Sequence, residues 1–84
     1  MTSIDAITVA ARSLRTVIIN YTDEKGSPST REVEPYSLRP GKMGSTRFFG
    51  YDYSRQQIRG FRLDRIDYAE ATENTFVPKW VVEL

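Results

Sequence analysis

Residues 58–66 read IRGFRLDRI, with Ile58, Phe61, Leu63 and Ile66 interleaved with three arginines and an aspartate. On a strand, residues two apart share a face. Arg59, Phe61 and Leu63 then lie on one side, and Ile58, Gly60 and Arg62 on the other. Residues 58–63 therefore read as a half-buried strand, and 64–66 as a tight bend. Phe61, Leu63 and Ile66 are expected in the core. Asp64 is expected to be structural, as a local salt-bridge or capping partner of Arg65.

Working outward, TRFFGYDY (46–53) reads as the preceding strand, joined to 58–63 by the turn SRQQ (54–57). Arg47, Phe49, Tyr51 and Tyr53 form a same-side row on it. Further back, TVIINYT (16–22) is β-branched and aromatic, which suits a strand. DEKGS (23–27) is a turn, with Gly26 able to take positive φ. TREVEPYSL (30–38) is a second strand, which Pro35 pushes toward an edge or a bulge. RPGKMGS (39–45) is a loop, and DYAEATE (67–73) a fifth strand.

The first segment, SIDAITVAARSL (3–14), reads as a helix with Ser3 as N-cap and Asp5 in the first turn. Its apolar stripe is Ile7, Ala10/Ala11 and Leu14. One helix and five short strands at this spacing predict a mainly β fold, a small five-stranded barrel with the helix capping one open end. The apolar tail 76–84 either packs back on the core or covers a partner. At 84 residues a single domain over 1–84 is expected.

Composition narrows the function. The chain has no cysteine and no histidine, which excludes disulfides, thiolate metal sites and the commonest general base. No cofactor is implied, and an enzyme is not expected. Nothing approaches a membrane span or a secretory signal, so a cytoplasmic protein is the expectation. Net charge is only +1, but nine of the twelve basic residues are Arg. Residues 35–66 carry seven Lys/Arg against Asp52 and Asp64, so an anion site is expected in this middle region. PGKMGST (40–46) has the residues of a phosphate loop in the wrong order, and a strand rather than a helix follows; it reads as a hairpin.

Arginines beside aromatic residues on paired strands suit nucleotides, since rings stack bases and guanidiniums clamp phosphates. Taken singly, each arginine is better explained as part of a solvated strand face beside Glu and Asp.

The order of these elements resembles the WYL domain family. INYTDEKGSPSTREVEPYSL carries Tyr21, Gly26, Arg31, Val33, Pro35 and Leu38 in the family's pattern, and IRGFRLDRI matches its Arg-x-Phe-x-Leu-x-Arg-Ile element. The signature triplet falls on Arg47, Phe48 and Phe49, with Arg for tryptophan and Phe for tyrosine. The resemblance covers about residues 6–76. It implies an SH3-like or Sm-like barrel, and a regulatory module that senses single-stranded nucleic acid or a nucleotide-like anion in transcription regulation or CRISPR and phage defence. It places Arg31, Arg59, Arg62 and Arg65 at the family's basic positions. Arg31, Arg59 and Arg65 are the main candidates for ligand contact, Arg59 ahead of Arg65, with Arg62, Arg47 and Phe48 as further candidates. Regulators of this family carry a helix-turn-helix domain, for which residues 1–15 supply one helix only, so sequence-specific duplex binding is not expected. The chain is expected to be either a stand-alone module or a piece of a larger regulator. The competing function is an assembly module that uses sheet edges and the apolar tail, alone or as a homo-oligomer.

Overall fold

The computed structural model describes residues 2–84; residue 1 of the expected domain lies outside the described residues. Helix α1 spans Ser3–Arg12, followed by strands β1 (Arg15–Thr22), β2 (Pro28–Pro40), β3 (Thr46–Asp52), β4 (Gln57–Arg62) and β5 (Ile66–Thr75). Short 3₁₀ turns occupy Lys42–Gly44 and Leu63–Arg65.

The helix starts one residue earlier in its capping than Ser3. Thr2 is the N-cap: its hydroxyl accepts from the Asp5 amide, and the Asp5 carboxylate accepts from the Thr2 amide. This reciprocal box satisfies two donors that the first turn leaves free. The helix also stops short of Leu14. That residue takes a left-handed φ of 53° and is 40% exposed, so it turns the chain into β1 instead of joining the core. Ala6, Ile7, Ala10 and Ala11 are the buried face, and small alanines let the helix lie close on β5, β1 and β2.

All strand pairs are antiparallel, in the order β4-β3-β2-β1-β5. The sheet is open: β4 and β5 are its edges, and the closed barrel expected from the strand count is not formed by hydrogen bonding. Two contacts bridge the gap between the end of β4 and the end of β1. The Arg62 amide donates to the Tyr21 phenol at 3.4 Å, and the Arg65 guanidinium donates to the Asp23 carbonyl at 3.0 Å.

Strand β2 is central and long. Its first half pairs with β1 and its second half with β3, with a register shift between Pro35 and Ser37. Pro35 is thus tolerated at a bulge, not at an edge, and the bulge bends the strand so that one sheet can wrap a small core. Opposite it, Gly50 has no room for a side chain: a Cβ there would collide with Val33 and the Glu34 carbonyl. The core gathers Ile7, Ala10, Val17, Ile19, Val33, Phe48, Phe61 and Ile66. Leu63, expected beside them, is only partly buried and packs against the cluster from its margin.

The tail 76–84 has no regular structure. Phe76 is buried, and its amide donates to the Leu14 carbonyl at 2.9 Å. Both Phe76 and Trp80 stand edge-on to Tyr36, with centroids 5.8 and 5.4 Å away. Val77 and Val81 remain exposed. The tail therefore packs back through Phe76 and Leu84, with Trp80 against Tyr36, while Val77 and Val81 stay at the surface.

Candidate functional site

The arginines of the sheet divide between a buried cluster and an open cavity. The cluster is built on Asp52, the last residue of β3. One of its oxygens accepts from the Ser54 amide and hydroxyl, at 3.0 and 2.8 Å, in a turn that Asp followed two residues on by Ser favours. The other accepts from Arg31 at 3.1 Å and from Arg59 at 3.3 Å. Asp52 is 0% exposed. Burial pushes its carboxyl up, but the Ser54 bonds and the two guanidiniums outweigh this and hold it below the usual carboxylate range. Arg31 also donates to Ser29 and Ser54, and little of its side chain reaches solvent. It is placed to hold the Asp52 turn and, through Asp52, to position Arg59.

Arg59 continues from this cluster to the surface. Its guanidinium lies 5.2 Å from the centroid of Phe61, two residues along the same strand face. There it enters a cavity of about 300 Å³ between β4, the 63–65 turn and the end of β1, lined by Arg47, Arg59, Arg62, Arg65, Tyr21 and neighbouring residues that include Asp23 and Glu24. Four of the five candidate arginines therefore line this cavity, while Arg31 stays behind Asp52. Arg62 grips Asp64 through two bonds of 3.1 and 2.8 Å. The local pair at the bend is thus Arg62–Asp64 rather than Asp64–Arg65, because Arg65 turns away to the Asp23 carbonyl. Hydrogen bonding to Arg62 lowers the Asp64 carboxyl below its usual range. Asp23 is satisfied within its own turn by the amides of Lys25 and Ser27.

Phe48 does not belong to this surface. It is 0% exposed, opposite Leu38 and Phe61, and its ring is a central part of the core. Strand alternation explains the split of the signature triplet: Arg47 and Phe49 face out, and Phe48 between them faces in.

Sequence reasoning passed over Asp52 as a local countercharge, although the DYS turn pattern was there to be read. Tyr21, which belongs to the family pattern, lines the cavity as well. Sequence reasoning also passed over Glu34, a second buried carboxylate, on the opposite side of β2. Glu34 is 2% exposed and accepts from Tyr36 at 2.6 Å, Tyr53 at 2.8 Å and the tail residue Lys79 at 2.8 and 3.0 Å. Burial raises its carboxyl, and the Lys79 and tyrosine bonds overcome this and lower it. Burial and the bond to Glu34 push the Tyr36 phenol up to about 12. Among the described residues no group of three or more acidic side chains is placed to hold a metal, and no helix is long and apolar enough to cross a membrane.

The model of the WYL domain matches residues 2–71. The chain belongs to the WYL domain family. It is 32% identical over 75 residues to the uncharacterized HTH-type transcriptional regulator YobV of Bacillus subtilis (strain 168), an alignment covering 89% of this chain and 24% of that protein. It also superposes on proteasome accessory factor B/C (PafBC) of Arthrobacter aurescens with a TM-score of 0.77 and 29% identity, covering 86% of this chain and 11% of that one. This WYL domain thus spans about a quarter of the regulator's length.

Proposed function

We propose that this WYL domain is a non-catalytic sensing module of a regulatory protein, and that its cavity takes single-stranded nucleic acid or a nucleotide-like anion. The observation that carries this is the convergence of Arg47, Arg59, Arg62 and Arg65 beside the Tyr21 phenol in one cavity. Four arginines outnumber the two acids that line the cavity, Asp23 and Glu24, and Arg47 and Arg65 form no salt bridge among the described residues, whereas Arg59 and Arg62 are paired with Asp52 and Asp64. Guanidiniums in that number match phosphate oxygens, and charge-assisted bonds of this kind are the strong ones. A transcription regulator is the natural carrier, since one relative is an HTH-type regulator. The absence of His and Cys also favours binding over catalysis.

The test is a binding titration of AMP and of a short labelled oligothymidylate at several salt concentrations. Affinity should fall linearly with salt on logarithmic axes. Arg59→Ala and Arg65→Ala should each weaken binding about tenfold, with circular dichroism showing the fold retained. Binding that is independent of salt and of both arginines sinks the proposal.

A further inference from the structure

The face of the sheet away from the core carries a feature that extends beyond the cavity. Arg39 of β2 is directly opposite Arg47 of β3, and Arg47 is directly opposite Arg62 of β4. The neighbouring row, Leu38, Phe48 and Phe61, faces the core, so the three arginines share the outer face. They span two interstrand steps, about 10 Å. Like charges directly opposite each other oppose pairing, so such a row calls for countercharge. Arg39 has Glu83 at 2.7 Å and Arg62 has Asp64 at 2.8 Å. Arg47, in the middle, has no acidic partner among the described residues. Lys42, in the β2–β3 hairpin, adds a further cation beside Arg47 and Arg62 in a wide cleft of about 1010 Å³.

We infer that the row Arg39–Arg47–Arg62, with Lys42, is a second anion site that takes a run of phosphates in competition with Glu83 of the tail. Single phosphates would satisfy Arg47 alone; a chain of them can follow the row from Arg62 to Arg39. At Arg39 it meets a displaceable partner. The Arg39 and Glu83 side chains are 59% and 49% exposed, and an exposed pair is weak and screened by salt. Glu83 is also held by its amide, which donates to the Tyr36 carbonyl at 2.8 Å. Trp80, three residues earlier and the only tryptophan in the chain, leans on the same Tyr36. A polyanion that takes Arg39 therefore loosens the tail, and Trp80 reports it. Arg47 and Arg62 are shared with the sensing cavity, whereas Arg39 and Lys42 do not line it.

The experiment titrates the 84-residue chain with tripolyphosphate and, separately, with a short oligothymidylate, following Trp80 emission and heat of binding. Saturable emission changes are expected. Glu83→Gln should bind the polyanion about two- to fivefold more tightly, by removing the competitor. Arg39→Ala should weaken polyanion binding and abolish the emission change, while AMP binding at the cavity is retained. A response to oligothymidylate alone makes nucleic acid the source of the phosphates, and a response to both makes the phosphate chain sufficient. If Arg39→Ala and Glu83→Gln both bind the polyanion as the parent chain does, the row is not a site, whatever AMP does. Loss of AMP binding in Arg65→Ala, or its absence altogether, bears on the cavity and leaves this test intact.

Discussion

Around Asp52 two arginines converge on one buried carboxylate; around Arg47 three arginines line up with no acid at the centre. The two regions lie on the same strand, at its opposite ends, and use the same side chain to opposite effect. Asp52 is wholly buried, so its charge must be met by donors, and Arg31 and Arg59 supply them. Arg47 is exposed, so water and salt screen its neighbours and no internal partner is required. Arginine count therefore says little about binding capacity. What matters is whether an arginine is answered inside the fold.

The sharpest way to break this contrast is Asp52→Ala. It leaves Arg31 and Arg59 facing each other without their shared acid and dissolves the Ser54 turn. A loss of about 3–5 kcal/mol is expected in urea unfolding; an unchanged midpoint would show that the cluster is not a stabilising element. A paired comparison is gentler. Arg31→Ala should cost about 2 kcal/mol, because it removes charge-assisted bonds to a buried acid. Arg47→Ala should stay within about 0.5 kcal/mol of the parent in stability, yet lower the salt dependence of oligonucleotide binding by about one unit of slope. Equal unfolding midpoints for the two variants would erase the distinction between the regions.

The smallest effect lies in pH. The Asp52 and Glu34 carboxyls are held below their ordinary values of 3.8 and 4.5. Their contribution to stability is present above those values and is lost as pH falls through the depressed folded values. The Tyr36 phenol is raised from 10.0 to about 12, so its contribution is complete below 10.0 and is lost as pH rises toward 12. Thermal unfolding across this range should show a plateau with an acid and an alkaline limb. Tyr36→Phe should reduce the alkaline limb, leaving the share of the raised Tyr53 phenol, and should weaken the acid limb through the lost bond to Glu34; an alkaline limb that survives unchanged would assign it to other groups.

Much of the fold could be read locally. The strands announce themselves by β-branched and aromatic alternation, and the 63–65 bend sits where the apolar spacing breaks. Pro35 was harder, because a proline in a strand fits both an edge and a bulge; only the pairing of β2 on both sides selects the bulge. Leu14 misled because an apolar residue at helical spacing reads as core, whereas the chain needs a left-handed residue there to leave the helix. The site was legible in part. Arg47, Arg59, Arg62 and Arg65 were candidates by type and position, and all four line one cavity. Phe48 and Arg31 were also candidates, but alternation turns the first into the core and Asp52 holds the second behind the surface.

The sequence by itself determined the element order, the mainly β character, the family and the basic middle of the chain, because periodicity, turn chemistry and residue type are local properties. The tertiary structure alone decided that the sheet stays open, which arginines share a cavity, and which meet an acid. Those outcomes depend on register and burial: a shift of one residue moves a side chain to the other face. Asp52 and Glu34 show this most plainly. They are ordinary acids in the sequence, on paired strands, and only folding makes one the anchor of two arginines and the other the anchor of the tail.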